Sequence, residues 1–389
     1  MVRIVKIDRI QFSKICQPIC QFYKMGIDMS SAFDTISRKT VLNLLDDAGC
    51  TEDEIRLVRL LLSNTKLRVR VGKSSSTVFI SLSGAFQGDS LSGVLFTLTL
   101  AGALVHLRAV LERPNPPMSA ACLPLESEYA DDVDFIGEDE VKLQQILPIA
   151  TSVLNEWSLQ VNEQKTEFVK VYLAGKGDTD SNGVKAAGNE SWRSSKLLGS
   201  LLGSTKDIFH RIHLGNIAFS NFKKVWLQGK RISLQRRIQV YEAQVVSVLM
   251  YGSCSWAAPK HVLEKLDTTH RRHLRSIMNI TWPHVISNVN LYKRCEVVPL
   301  TERVERSRWT MLGHVLRLPE NSPAALALTF ALDGCPAKSR RGRHQINLFN
   351  TIKSDLNLRG FTLNCLEDLF SIRDVASDKK RWNSLFVVE

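Results

Sequence analysis

The chain has 389 residues and a mass of 43.8 kDa, with 44% hydrophobic and 23% charged residues. That composition excludes a disordered chain and a small disulfide-bound module, and it leaves room for two or three domains. The net charge of +12 is unevenly spread: residues 1–180 carry 19 Lys/Arg against 23 Asp/Glu (net −4), and residues 181–389 carry 32 against 16 (net +16).

An acidic half before a basic half suits a metal-carboxylate core joined to a polyanion grip, although a basic solubilising surface gives the same numbers. No apolar run is expected to reach the ~18 residues of a membrane span, and no basic-then-apolar leader is visible. The eight cysteines are scattered with no CxxC, which points to reduced thiols in an intracellular protein.

Residues 1–24 show no clean period. From Gly26 the run Ile27-Asp28-Met29-Ser30 predicts a strand ending at an acid, and a strand-end carboxylate can face a pocket. Asp34 is assigned to the tight turn that follows, and Ser37 to the cap of the next helix. Thr51 to Glu54 forms a capping box opening a second helix, with Ile55, Val58, Leu61 and Leu62 expected inward.

Leu67–Val71 and Thr77–Leu82 alternate around a Gly-Lys-Ser-Ser-Ser turn and predict a hairpin. Gly84-Ala85-Phe86-Gln87-Gly88-Asp89 follows, with two glycines that permit close backbone approach to a ligand. Ser90 or Ser92 is expected to cap the apolar helix running to about Leu111.

The centre of the chain is Glu128-Tyr129-Ala130-Asp131-Asp132-Val133-Asp134-Phe135-Ile136, two acids between short apolar strands. Adjacent carboxylates raise one another's pKa unless a cation sits between them. The pair is therefore a candidate ligand set for a hard ion such as Mg²⁺, or else an ordinary polar turn. Then come an amphipathic helix over 140–157, a polar segment containing Val161-Asn162 and Lys165-Thr166-Glu167, and a strand over 168–173. Residues 174–190 lack a period and are read as a mobile loop closing the first domain.

The second half is helical and basic. Lys196 to Ser200 reads as a short strand, and helices are expected near 207–228, 232–251 and 260–279. These helices and their turns carry Lys223, Lys224, Lys230, Arg231, Arg236, Arg237, Arg271, Arg272 and Arg275, interleaved with Trp226, Tyr241, Tyr251 and Trp256. Base stacking and core packing are both open to these aromatics. His270-Arg271-Arg272-His273 is assigned to a solvated helix face. A last basic cluster, Lys338 to Arg343, suits a phosphate backbone or an import receptor.

Taken in order, Asp28 with Phe33-Asp34, Gln87-Gly88-Asp89, Tyr129-Ala130-Asp131-Asp132, Lys165-Thr166-Glu167 and Lys196-Leu197-Leu198-Gly199 resemble the reverse transcriptase of a non-LTR (LINE-type) retrotransposon. The likeness covers roughly residues 24–204. It extends through Arg308-Trp309, Leu312-Gly313-His314, Arg341-Gly342-Arg343 and Arg381-Trp382, which look like the tail of such elements. Ser90 and Gly93 stand where the family usually has prolines, and Leu197 where it has an aromatic.

The resemblance implies an α/β palm of the right-hand polymerase type, an antiparallel sheet with helices on one face, over residues 1–190 with the fingers largely missing. A helical thumb would span 191–285, and a mostly helical basic region 286–389. It implies catalytic, metal-binding Asp28, Asp131 and Asp132 with two Mg²⁺ ions, Mn²⁺ being the alternative. Phe33, Gln87, Gly88 and Lys165 would bind the incoming dNTP, with Phe33 as steric gate against a 2′-OH.

Lys196, Leu197, Leu198 and Gly199 would form the primer grip. Lys223, Lys224, Arg236, Arg237, Arg271, Arg272, Arg340, Arg341 and Arg343 would hold nucleic acid. The implied partners are an RNA template and a DNA primer, with no membrane; the implied place of work is the nucleus. The expectation is a 3′ portion of an element's reading frame, with a non-catalytic nucleic-acid-binding remnant as the alternative.

Overall fold

A computed structural model of the chain describes residues 21–63, 65–86, 88–112, 125–129, 132–137, 139–172, 182–186, 196–201, 203–229, 231–333 and 346–386. They fall into two compact units, residues 19–193 and 194–389.

The first unit is built on a five-stranded antiparallel sheet. Its strands are β1 (Gln21–Ile27), β7 (Leu125–Tyr129), β8 (Asp132–Gly137), β10 (Glu167–Tyr172) and β11 (Asn182–Ala186), in the order β11-β10-β1-β8-β7. In β1, Tyr23, Met25 and Ile27 alternate onto the core face, as the strand period requires. Across from them Phe135 pairs with Met25 and Val133 with Ile27, all buried. Two residues, Ala130 and Asp131, separate β7 from β8, and Tyr129 pairs with Asp132.

The core face is covered by two helices among those of this unit: α1 (Ala32–Thr35), α2 (Arg38–Asp47), α3 (Glu52–Leu62), α4 (Ser92–Leu111) and α5 (Glu140–Glu156). From α4, Leu95, Phe96, Leu100, Ala103, Leu104 and Leu107 join the cluster. From α5, Leu143, Ile146, Ala150, Val153 and Leu154 meet them. At about 25 cal/mol per Å² of apolar surface, this shared core dominates the unit's stability.

Several expectations are corrected here. α4 is long and apolar enough to cross a membrane by length and composition, with mean hydropathy 1.9, so an apolar run of that length does exist. One face of it packs in the core. Neither Ser90 nor Ser92 caps α4: Leu91 precedes it without a side-chain cap, and Asp89 Oδ1 accepts from Leu91 N at 3.4 Å. In α3 Ile55 is buried and Val58 and Leu62 pack on the core, but Leu61 is exposed. Within the segment read as a loop, Asn182–Ala186 is the edge strand β11.

The predicted hairpin forms as two short ladders, β3 (Lys66–Leu67) with β6 (Phe79–Ile80) and β4 (Arg70–Val71) with β5 (Ser74–Ser75). Its turn is therefore tighter than expected, closing at Gly72-Lys73. Ser37 accepts from Thr40 N at 3.3 Å, and Thr51 and Glu54 form the expected reciprocal capping box.

The second unit starts with a small hairpin, β12 (Lys196–Leu197) and β13 (Ser200–Leu201). Next come α6 (Ser204–Phe222), continued by a π-helical turn to Leu227, and α7 (Leu234–Tyr241), continued likewise toward Leu249. α8 (Lys260–Ile277), α9 (Asn288–Cys295) and α10 (Leu300–Arg317) close a core around Tyr241, Leu249, Leu266 and Leu274.

A second core, around Trp309, Trp382, Leu356 and Ile372, joins α10 to α11 (Pro323–Asp333), α12 (Leu348–Asn357), α13 (Leu366–Ser377) and α14 (Lys379–Ser384). Of the tail motifs, Trp309, Leu312 and Trp382 line this core, and Arg341-Gly342-Arg343 lies outside the described residues. The Trp309 and Trp382 rings stack with centroids 4.0 Å apart, and each indole N–H donates to the other residue's carbonyl. Gly313 is required beneath them, because a Cβ there would meet Trp382 Nε1 at 2.4 Å. Arg308 and Asp355 form a buried two-point ion pair.

Candidate active site and nucleic-acid surface

Asp28 follows the last residue of β1, where the chain leaves the central sheet. Met29 pairs instead with Val161, joining β2 (Met29–Ser30) to β9 (Gln160–Val161). Asp28 thus lies where two ladders diverge. The β1–β8 register runs Gly26 opposite Asp134 and Ile27 opposite Val133. That is the last pair of the ladder, and Asp28 and Asp132 are the next residue on each strand beyond it. Asp132 is exposed.

The Asp28 carboxylate has an unusual surrounding. Among the described residues its Oδ2 is buried and accepts no hydrogen bond, although the side chain as a whole is 36% exposed, and Lys165 Nζ stands 3.5 Å from that oxygen. The Asp28 carbonyl accepts from Asn162 N at 2.8 Å, and the Asn162 carbonyl accepts from Lys165 N at 3.1 Å and Thr166 N at 3.0 Å. Main chain from Asp28 therefore anchors the turn that returns Lys165 to the Asp28 side chain. The Lys165 side chain is 68% exposed and has room to swing.

Along the same face of β8, Asp134 pairs with Lys24 at 2.8 Å, both nearly buried. Burial raises the Asp134 pKa and the Lys24 charge opposes that rise. Gly26 lies opposite Asp134, and a Cβ on it would come within 3.0 Å of Asp134 Oδ1. This pair escaped the sequence reading, although alternation within Asp132-Val133-Asp134 signals that both acids share a face.

Phe33, on α1, packs its ring on Phe96 with centroids 4.8 Å apart, and its carbonyl accepts from Ala85 N at 2.8 Å. The glycine expectation divides. Gly84, at φ +75°, approaches the protein's own backbone: a Cβ would lie 2.6 Å from the Asp34 carbonyl oxygen. Gly88, at φ +98°, faces open space. Arg38, unremarked in the sequence, clamps this segment by donating to the carbonyls of Ser81, Ser83 and Gly84.

Asp131, Gln87, Arg340, Arg341 and Arg343 lie outside the described residues. Among the described residues no three His, Cys, Asp or Glu side chains converge as a metal site. The donor types present nonetheless fit a hard divalent cation: Asp28 offers a buried oxygen that accepts no hydrogen bond among the described residues, and Asp132 is an exposed carboxylate at the start of β8.

In the second unit Lys196-Leu197 and Ser200-Leu201 flank a two-residue turn, so Leu198 and Gly199 cap a hairpin instead of lying within one strand. Lys224, Arg236 and Arg272 are exposed, and Lys223 and Arg271 are half-buried. Arg237 is a correction: it is half-buried and donates to the Ile277 carbonyl at the end of α8, which commits it to the fold. Trp226 and Tyr251 are about half exposed, whereas Tyr241 and Trp256 are core residues.

The histidine pair is a second correction. His270 and His273 are buried, not solvated. Tyr241 Oη bonds His270 Nδ1 at 2.8 Å and His273 Nδ1 at 3.3 Å, and His273 Nε2 bonds Asn216 Oδ1 at 3.0 Å. Val262, Leu266, His270, His273 and Ile277 follow one helical stripe, a spacing that carries the signal for burial.

Residues 16–200 match the family model described as "Reverse transcriptase (RNA-dependent DNA polymerase)". The chain is 26% identical over 152 residues to the "Retrovirus-related Pol polyprotein from type-1 retrotransposable element R2" of Popillia japonica, covering 39% of this chain and 21% of that one. It is 25% identical over 150 residues to the protein of the same name from Bradysia coprophila, covering 39% and 17%. The matched region thus spans about a fifth of the length of these relatives. Similar solved structures include apo telomerase from Candida tropicalis, at TM-score 0.38 and 13% identity over 97% of this chain and 54% of that one. Another is Candida albicans telomerase in complex with a TWJ fragment of telomeric RNA, at TM-score 0.34 and 13% identity over 92% and 49%.

Proposed function

This chain carries a reverse-transcriptase domain of the non-LTR retrotransposon class, and from that premise we propose that it forms part of an RNA-directed DNA polymerase whose carboxylate centre is Asp28, Asp131 and Asp132. The observation that carries this reading is the Asp28 carboxylate, one residue past the last β1–β8 pair, with a buried oxygen that accepts no hydrogen bond among the described residues and has the Lys165 ammonium 3.5 Å away. An exposed ammonium at 3.5 Å compensates that oxygen only weakly, and a divalent cation is the ligand that would satisfy it.

Asp28, Asp131 and Asp132 would hold two Mg²⁺ ions, or Mn²⁺. Such ions supply Lewis-acid stabilisation of charge in phosphoryl transfer to a primer 3′-hydroxyl. The chain's own residues do the rest. Lys165 neutralises Asp28 when no nucleotide is present and swings to the triphosphate of a dNTP. The Phe33 ring, braced on Phe96, crowds a 2′-OH. Gln87 and Gly88 line the nucleotide pocket in this palm. In the thumb, Lys196 to Gly199 grip the primer. Lys223, Lys224, Arg236, Arg271, Arg272, Arg340, Arg341 and Arg343 meet the phosphates of the RNA template and its DNA partner.

Primer extension tests the proposal. A DNA primer on an RNA template should be extended with dNTPs and Mg²⁺ or Mn²⁺, and Asp131→Asn should lower the rate by about 10²–10³-fold, the scale of losing one electrostatic stabiliser. Phe33→Ala should admit ribonucleotides. Extension that survives Asp131→Asn refutes the assigned centre. Duplex binding without extension by the wild type favours the non-catalytic alternative.

A further inference from the structure

The Leu198-Gly199 turn is strained and yet closely supported. Both residues have positive φ, 47° and 79°, as a two-residue hairpin turn of the primed type demands. Leucine is a poor residue for that conformation, since its Cβ crowds the backbone. A non-glycine residue stays there only when its surroundings over-determine it. Here they do.

Tyr251 Oη donates to the Leu198 carbonyl at 2.7 Å. Arg211 donates to the Gly199 carbonyl and to Ser200 Oγ. Asp207 Oδ1 accepts from Leu201 N at 2.9 Å, and its Oδ2 accepts from the buried Trp256 indole at 2.8 Å. Arg211 lies one helical turn from Asp207, with Nε 3.5 Å from its carboxylate, and its guanidinium stacks 4.3 Å over the Tyr251 ring. Asp207 and Arg211 are almost wholly buried, whereas Leu198 is exposed. A buried charged pair and a tyrosine thus fix the backbone of an exposed turn.

We propose that Asp207, Arg211 and Tyr251 are positioning residues, locking the Leu198-Gly199 turn in the shape that meets the 3′ end of a DNA primer. This rests on the reading of Lys196 to Gly199 as the primer grip. The network acts through the backbone carbonyls and the Leu201 amide, so it need not touch the primer.

The test uses the full chain and Tyr251→Phe, which removes one hydroxyl and leaves the ring beneath Arg211. Two readouts are needed. Hydrogen exchange over 198–201 in the free protein reports whether the network holds the turn. The ratio of affinities for an RNA–DNA duplex with a recessed primer end and for a blunt duplex of equal length reports the grip. Tyr251→Phe should speed exchange by about fivefold, the worth of one hydrogen bond, and lower the affinity ratio by a similar factor. Blunt-duplex affinity should stay as in the wild type, and the melting temperature should fall by no more than the roughly 2–4 °C that one hydrogen bond is worth. Leu198→Asn, which suits the turn conformation, should restore slow exchange in the Tyr251→Phe background.

Unchanged exchange overturns the network. Faster exchange with an unchanged affinity ratio overturns the positioning role and leaves a structural one. A wild type without preference for the recessed end overturns the primer-grip reading, and the proposal with it, while exchange still shows whether the network holds the turn.

Discussion

Lys165 Nζ stands 3.5 Å from Asp28 Oδ2, an oxygen that is buried and accepts no hydrogen bond among the described residues. The same lysine is mostly solvent-exposed, so the pair joins a fixed carboxylate to a mobile ammonium. An ammonium at that distance competes with any divalent ion for the same oxygen. Lys165→Met should therefore tighten Mn²⁺ binding to the free chain by about two- to fivefold, a modest factor because exposed pairs are screened. The same change should weaken dNTP binding. Titration followed by paramagnetic resonance reads the first effect, and looser Mn²⁺ binding would contradict the competition.

The tail motifs make a stability prediction. Asp355→Ala leaves Arg308 buried without its carboxylate, and loss of one partner of a buried pair costs about 3–5 kcal/mol. Gly313→Ala drives a methyl group into Trp382, with a cost of about 1–3 kcal/mol. Urea unfolding should rank Asp355→Ala as the more damaging. A variant as stable as the wild type would remove these residues from the core assigned to them.

The buried histidines make the second unit sensitive to acid. Burial, and then nearby Arg303, lowers the His270 pKa to about 3; burial, then Arg272, lowers that of His273 to about 3. Unfolded, both titrate near 6.5. The unfolded chain then binds more protons below pH 6.5, so their contribution is complete above that pH and is lost as pH falls toward 3. The loss is at most about 1.4 kcal/mol per pH unit per histidine. His270→Gln should flatten the fall in melting temperature between pH 6 and 4, and an unchanged slope would count against this origin.

The basic face should divide by role. Lys224→Ala, at an exposed position, should reduce the salt dependence of duplex binding by about one unit of slope. Arg237→Ala should lower the melting temperature and leave that slope alone, because its guanidinium is committed to the Ile277 carbonyl. Binding measured from roughly 50 to 200 mM salt separates the two, and equal effects on slope would refute the division.

Local signals made part of this legible. Ser37 and Thr51 announce their helices through capping chemistry that needs no tertiary partner, and Val133 and Phe135 announce β8 by alternation. The strand end at Asp28 and the start of β8 at Asp132 are readable for the same reason. What stayed hidden depends on distant partners. β11 has a polar, weakly strand-forming sequence, and its pairing with β10 decides its state. Gly84 is set by Asp34, 50 positions earlier in the chain, and not by a ligand. Arg211 goes unremarked in the sequence and Tyr251 is open there to stacking or core packing; the hairpin they support decides the role of both. Nothing in the sequence of α6 alone reports that contact.

The central claim is that Asp28 and the acids after Tyr129 share one divalent-ion site. Fe²⁺ bound in place of Mg²⁺, with ascorbate and peroxide, generates hydroxyl radicals that cut the backbone beside the ion. Cleavage near Asp28 and within 129–133, suppressed together by excess Mg²⁺ and abolished at both places by Asp131→Asn, is the predicted result. Cleavage confined to one segment, or unaffected by Asp131→Asn, would contradict the account, whether or not the chain extends a primer.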